Sequence, residues 1–586
     1  MRRIHFSVGA VLLLCLFAAP TQAQDDSSAS AKTWIFLTDK LDAAGKTTVA
    51  QAGYVTDRAR QRRLKRGSWT SPSSDAPVSP AYRQQLENLG ITTLHESRWL
   101  NAVTARLTPE QKELVAALPF VRDLKPVAML SSAFNAPAMP LVRVLPTPQR
   151  THTGRLRLDY GPSRTQLDLI NAIPALERGI NGSGVVIGFV DTRFDDLSER
   201  PFGHQSLVHL ADSGRVTMRD FTLADQADTG TTQGNRHGVS VASVAVGFEP
   251  GDLIGPGYGV AEVYAAITEF APFERNVEED NFVAGLEWLE SEGVDVVNSS
   301  LGYSTFDSGQ RSYTTADMDG DTGLTTIACD LAVQMGVVVV SSAGNSGSGS
   351  WGIITTPADG DSVLAVGAVH ADSGYVSFSS RGPTADGRIK PDVAAMGSGV
   401  YLARSSGGYN YSSGTSFSSP IVAGVATQML QVNDNLEPWE LMEILRGTAS
   451  KKDNPDIRFG WGIIDANAAI AEAERCKDPA IACLTPVRTA TEHAGELPEQ
   501  LHVRSPYPNP FTDTAHFDID IPHASDHVRV TLYNMLGQRV DVPFAGPMSS
   551  GIHTVTVNGA SLSPGLYVYT IETGSRAITG KVTLVR

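Results

Sequence analysis

Between residues 166 and 473 short apolar runs alternate with longer stretches of helical period, the pattern of a parallel sheet covered by helices on both faces. The clearest buried strands are 185–190, 294–298, 337–341 and 363–366, each nearly continuous in Val, Ile or Ala. A smaller unit precedes them. Residues 33–37 and 120–124 read as strands and residues 80–89 and 108–118 as helices, giving a small α/β unit over about 32–127. Beyond residue 501 the period shortens to two. Phe517, Ile519 and Ile521, then Val528, Val530 and Leu532, then Leu566, Val568 and Thr570 alternate with polar positions between Pro, Gly and Asn turns. That predicts a small antiparallel β-sandwich. Residues 131–165, rich in Pro, Ala, Ser and Arg, and residues 475–502 carry no sustained period and read as linkers.

Length and charge narrow the class. A chain of 586 residues implies roughly three to four structural units, and its 41% hydrophobic and 19% charged content suffices for large cores. A net charge of −16 argues against nucleic acid as the main partner. The basic run Arg58, Arg60, Arg62, Arg63, Lys65 and Arg66 is therefore expected to be a solvated helix face. Residues 1–23 place Arg2 and Arg3 before an apolar core and end in Thr-Gln-Ala, the form of a secretory signal peptide. Cys15 lies inside it. No later apolar run reaches membrane-spanning length. In an exported chain Cys476 and Cys483, six residues apart in between, are expected to form a local disulfide. Cys329, within the helical pattern 324–335, is expected to be a buried thiol.

The chemistry begins at Gly414-Thr415-Ser416-Phe417-Ser418-Ser419-Pro420-Ile421-Val422-Ala423-Gly424. A Gly/Ser-rich loop, 412–419, feeds an apolar helix with Pro420 in its first turn. Ser416 then stands at a helix N-terminus, where free N–H groups favour an oxyanion. A serine nucleophile needs a base, itself oriented by a carboxylate. Asp191, directly after the strand 185–190, and His237, in Asn235-Arg236-His237-Gly238, are the candidates. Ser341-Ser342-Ala343-Gly344-Asn345-Ser346-Gly347 follows another strand.

These motifs, in the order Asp…His…Ser, resemble the subtilisin-like serine proteases, through Gly460-Trp461-Gly462-Ile463-Ile464-Asp465. The resemblance implies a secreted endopeptidase with a subtilisin-like doubly wound sheet and polypeptide substrates. Asn345 would be the oxyanion donor, and Ser300, Leu301 and Gly302 the substrate-pairing strand beside the primary pocket. It implies no cofactor for the chemistry. Three positions depart from the family pattern: Arg193, Val239 and Ser243. They motivate the alternative of a catalytically impaired surface binding protein.

The N-terminal unit, with Ser97-Arg98-Trp99-Leu100-Asn101-Ala102-Val103, resembles the bacterial propeptides of that family, which implies an intramolecular inhibitor removed by self-cleavage. Pro506-Tyr507-Pro508-Asn509-Pro510-Phe511, Tyr533-Asn534-Met535-Leu536-Gly537 and Pro564-Gly565-Leu566-Tyr567-Val568-Tyr569 resemble the sorting domain of the type IX secretion system, which implies outer-membrane secretion machinery as a partner. The expected division is signal peptide 1–23, propeptide 24–130, linker 131–165, peptidase 166–474, linker 475–502 and sorting sandwich 503–586. Finally, Asp317, Asp319 and Asp321 alternate around Gly320. They suit a structural calcium ion, which such proteases often bind, or a solvated acidic turn.

Overall fold

A computed structural model describes residues 31–41, 55–66, 76–128, 142–143, 158–223, 236–269, 274–478 and 502–584, with short gaps inside these ranges, together with 481 and 483. The expected signal peptide with Cys15, most of both linkers, and parts of the three C-terminal motifs lie outside the described residues.

The N-terminal unit is built from β1 (Ala31–Leu37), α1 (Asp57–Arg66), α2 (Pro80–Asn88), β2 (Thr93–Ser97), β3 (Ala102–Leu107), α3 (Pro109–Ala116) and β4 (Val121–Ala128). The strands pair antiparallel in the order β2-β3-β1-β4. Ser79 and Thr108 cap α2 and α3 with their hydroxyls, and a proline opens each helix, so both begin where the sequence predicts. One face of the sheet packs on these helices through Ile35, Leu37, Val103 and Leu107.

The central unit holds β5 (Val142–Arg143), β6 (Val186–Asp191), β7 (Val216–Asp220), α4 (His237–Val246), β8 (Glu262–Ile267), α5 (Val277–Glu292), β9 (Val296–Ser299), α6 (Leu324–Gln334), β10 (Val338–Ser342), β11 (Leu364–Val369), β12 (Val393–Met396) and α7 (Thr415–Val432). The sheet order is β12-β11-β10-β9-β6-β8-β7-β5, parallel throughout except for the two-residue β5 at its edge. Every residue of β6, β9, β10, β11 and β12 is buried, as expected for strands covered on both faces. One face packs on α4 and α7, the other on α5 and α6. The chain is already helical at Gly161–Ser163 and Arg164–Leu169, within the stretch expected as linker.

The outer face of the N-terminal sheet docks on the central unit. Trp34, Phe36 and Val127 pack against Val277 of α5 and Leu324 of α6. Lys32 pairs with Asp280 at 2.8 Å with both side chains fully buried. The basic run departs from its expected place. It forms α1, but Arg62, Arg63 and Arg66 are buried rather than solvated. Arg62 and Arg63 pair with Glu290 of α5, joined by Arg98 at 2.7 Å, while Arg66 and Arg58 pair with Asp295. Arg62 also donates to the carbonyl of Val294 at 2.6 Å and that of Met335 at 3.2 Å. The partners that override solvation come from residues more than two hundred positions away, which no local pattern could announce. Gly293, at φ +91°, ends α5 in the left-handed region, and a Cβ there would meet Arg58 at 2.8 Å.

The C-terminal strands are β13 (His502–Val503), β14 (Thr514–Ile521), β15 (Ser525–Asn534), β16 (Arg539–Met548), β17 (Gly551–Asn558), β18 (Gly565–Thr573) and β19 (Arg576–Leu584). They form two antiparallel sheets, β13-β14-β17 and β16-β15-β18-β19, sharing one core. In β14 and β15 the predicted residues are the buried ones. In β18 the phase is opposite: Tyr567, Tyr569 and Ile571 face the core. Val568 is only partly buried, and the two tyrosine rings bury more apolar area than it could.

Burial alone would raise the Glu290 carboxyl, but Arg62, Arg63 and Arg98 pull it from 4.5 down to about 2. Its contribution is therefore complete above 4.5 and lost only as pH falls through about 2. Glu290→Gln leaves the guanidinium groups uncompensated, at a cost of about 3–5 kcal/mol. The amides of α1 should then lose hydrogen-exchange protection while those of β6 keep theirs. Wild-type protection of α1 in this variant would show that the clasp carries no weight.

Candidate active site

The carboxyl edge of the parallel sheet gathers the candidate residues. Asp191 is the last residue of β6, which lies between β8 and β9 where strand order reverses. His237 opens α4, and Ser416 is the second residue of α7. The Asp191 carboxylate is fully buried, and the His237 side chain is 23% exposed. Nδ1–H of His237 donates to Oδ1 of Asp191 at 2.8 Å, with Oδ2 at 3.1 Å. Because an ionised carboxylate only accepts, this fixes the proton on Nδ1 and leaves Nε2 free to accept one. The Thr192 amide donates to the same Oδ1 at 2.7 Å. The Phe417 ring lies 5.5 Å from that of His237.

Ser416 is tied to the end of β9 in both directions. Its hydroxyl donates to the Ser300 carbonyl at 3.2 Å, and the Ser300 hydroxyl donates to the Ser416 carbonyl at 2.9 Å. The second bond depends on Pro420. The helix starts at Thr415 rather than after residue 420, so Pro420 lies inside it and not in its first turn. Having no N–H, Pro420 leaves the carbonyl four residues back without its helical donor. That carbonyl belongs to Ser416. Asn298, fully buried, donates to the Ser300 hydroxyl at 3.0 Å and accepts from Ser419 at 2.8 Å.

Asn345 follows Gly344, whose φ of +100° turns the chain beyond β10 toward α7. Its amide oxygen accepts from the Thr415 N–H at 2.9 Å and the Thr415 hydroxyl at 3.0 Å. With the oxygen so held, the NH2 end is the part left to face the cleft. His237, Ser300, Leu301, Gly302, Asn345 and Ser416 all line one cavity of 320 Å3. The supporting roles of Thr415, Asn298 and Ser419 escaped the sequence reading. Thr415 and Ser419 lie inside the nucleophile motif, but their partners come from other strands.

The three departures are accommodated. Arg193 folds onto Asp195 with two contacts of 2.8 Å, and Arg236 approaches the same carboxylate at 3.3 Å. Val239 is buried in the core of its face. The Ser243 hydroxyl donates to the Ser240 carbonyl at 2.7 Å and accepts the Ala403 N–H at 3.0 Å.

The acidic turn does not gather a metal site. Asp317 caps the turn at Thr314, accepting its N–H and hydroxyl at 2.7 Å. Asp319 accepts the N–H groups of Asp321 and Thr322 at 2.9 and 2.8 Å. Asp321 is raised to about 6 by burial and by Asp361 and Asp319. No group of three candidate ligands converges among the described residues. Cys476 and Cys483 are joined as a disulfide, and Cys329 is a buried free thiol.

An acid, an imidazole and a serine hydroxyl gathered at the carboxyl edge of a parallel sheet define an α/β serine hydrolase. The comparisons make this specific. Residues 182–462 match the subtilase family, residues 32–138 the Bacteroidota propeptide domain of that peptidase family, and residues 505–585 the secretion system C-terminal sorting domain. Subtilisin DY of Bacillus licheniformis is 31% identical over 310 residues, 52% of this chain and 97% of its own. M-protease of Shouchella clausii is 28% identical over 386 residues, 65% of this chain and 83% of its own. The chain belongs to the subtilase family and is a serine endopeptidase with a propeptide and a type IX sorting tail. The tail marks it for the cell surface or the extracellular space. No helix among the described residues is long and apolar enough to cross a membrane.

Burial lowers the His237 pKa, but Asp191 outweighs it, and the net shift is upward from 6.5. The imidazolium is the favoured form below that raised value. NMR titration of His237 should give a midpoint above 6.5, and Asp191→Asn should bring it below, since burial then acts unopposed. An unchanged midpoint in the variant would separate the two side chains.

Proposed function

We propose that this chain cleaves peptide bonds through Asp191, His237 and Ser416 and frees itself from its own propeptide with the same site. Ser416 Oγ attacks the substrate carbonyl while His237 Nε2 takes its proton. Asp191 holds the ring with Nε2 toward the cleft and stabilises the imidazolium. The Asn345 amide and the Ser416 N–H, at the start of α7, donate to the oxyanion. His237 then protonates the leaving amine, and water releases the acyl group by the reverse steps. The Ser416 hydroxyl, bonded to Ser300 in the resting cleft, turns to Nε2 when substrate covers it; such bonds tighten only in the productive complex. An extended substrate lies along Ser300, Leu301 and Gly302 and adds a strand.

The observation that carries this reading is the single cavity onto which His237, Asn345 and Ser416 open, with Asp191 buried behind the imidazole. The propeptide, within 24–130, acts as inhibitor until the linker 131–165 is cut. The peptidase spans 166–474, and the sandwich 503–586, beyond the second linker, is the address read by the outer-membrane secretion machinery.

Ser416→Ala should abolish peptidase activity and leave the propeptide covalently attached, read by N-terminal sequencing of the purified protein. Normal maturation of that variant would remove Ser416 from self-cleavage. Asp191→Asn should lower turnover about 10⁴-fold through the wrong imidazole tautomer, and Asn345→Ala about 10²–10³-fold. Wild-type kcat in either variant refutes its assigned role.

A further inference from the structure

Three glutamates share the cavity with the catalytic residues. Glu269 stands two residues beyond β8, whose register with β6 pairs Ile267 with Asp191. The Thr268 N–H donates to the Asp191 carbonyl at 3.1 Å, which fixes Glu269 at the same edge of the sheet as the triad. The Tyr303 hydroxyl, one residue past Gly302, donates to Oε1 of Glu269 at 2.5 Å, and the Thr268 hydroxyl does so at 3.1 Å. Glu274 is exposed on the rim, held by exchange of hydrogen bonds with Asp307 at 2.8 and 3.3 Å. Glu278 is buried at the start of α5, accepting the Arg275 N–H at 2.9 Å. No Lys or Arg lines this cavity among the described residues.

The groups that act on Glu269 sharpen the picture. Burial, with Glu274 and Asp191 adding like charge against the hydrogen bonds of Tyr303 and Thr268, holds its carboxyl up at about 8. Burial and Asp307 raise Glu274 as well. A cation entering the cleft relieves both, because an opposite charge favours the ionised form. The chain contains a segment of matching charge. Residues 131–158 carry Arg143, Arg150, Arg155 and Arg157 and not one Asp or Glu, in a protein of net charge −16.

We infer that the acyl-side wall of the cleft selects peptides with arginine or lysine within about four residues before the scissile bond, a reach set by extended chain at about 3.3 Å per residue. Glu269 and Glu274 are the counter-charges, and the basic linker ahead of the peptidase unit is the first such peptide the enzyme meets. This rests on the reading of the cavity as the substrate groove. It adds specificity to that reading: Tyr303, which holds Glu269, directly continues the substrate-pairing residues Ser300 to Gly302.

The test uses the mature enzyme and four pairs of fluorogenic peptides, each pair differing only in Arg against Gln at one of the four positions. The wild type should cleave the best arginine peptide about ten- to hundredfold faster in kcat/KM than its glutamine partner, as expected for one charge-assisted hydrogen bond. In Glu269→Gln and in Glu274→Gln the ratio, which is internal to each preparation and independent of its active fraction, should fall toward one. A wild-type ratio near one at every position overturns the proposal, as does a ratio that survives in both variants. Cleavage of the glutamine peptides by wild type reads the proposed activity separately. If no peptide is cleaved, that activity fails, and anisotropy binding of the same pairs decides specificity: equal Kd values within every pair overturn it.

Discussion

The carbonyl of Ser416 is the point on which the cleft turns. Pro420 withholds the amide that would otherwise claim it, so the oxygen is open to the Ser300 hydroxyl at 2.9 Å. Through that bond, and its return from the Ser416 hydroxyl, the start of α7 is pinned to the end of β9. Asn298 and Ser419 brace the same junction from below. Thr415 does the equivalent work on the other side, gripping the Asn345 oxygen with both its N–H and its hydroxyl. One helix terminus thereby sets the positions of Ser416, Asn345 and Ser300 together. A rigid helix is a good base for such a site, because a shift of about 1 Å in a reacting group can cost about a hundredfold in rate.

Much of this was legible from residue order. The strands of the central sheet are short and uniformly apolar because both their faces are covered, so they stand out from any half-exposed strand. The motifs around Asp191, His237 and Ser416 are local strings, and their order along the chain is that of the family. What stayed hidden was set by distant partners. The arginines of α1 look like a hydrophilic face until Glu290 and Asp295 are brought beneath them. Asp317 and Asp319 alternate like cation ligands in sequence, and their local partners, the N–H groups of Thr314, Asp321 and Thr322, become visible only once the turn is folded. In β18 alternation alone does not set the phase, because Tyr567 and Tyr569 compete with Val568 for the inside. The start of α7 at Thr415, ahead of where Pro420 alone suggests, has a related reason. A proline signals a first turn only where no hydroxyl elsewhere can satisfy the carbonyl it orphans.

Charge has two distinct uses in this molecule. Around Glu290 it is matched within the fold, with carboxylate and guanidinium buried together. In the cleft it is unmatched by any lining Lys or Arg among the described residues, and Glu269 is held up at about 8 by that burial and by neighbouring acids. The first arrangement locks a known partner in place. The second leaves room for a transient one.

The α1 clasp also shapes how the N-terminal unit can separate from the central one. Exposed ion pairs open one at a time, each taking up water as it goes, and salt loosens them. Those of Arg62, Arg63 and Glu290 are buried, where screening by salt is weak and a half-opened pair is worse than either end state. Three arginines converging on one carboxylate through α1 and the neighbouring Arg98 therefore let go in concert or not at all. The consequence is kinetic: on the proposed maturation route, a severed N-terminal unit would leave slowly and with little dependence on ionic strength, because the barrier sits in the buried ion pairs of α1.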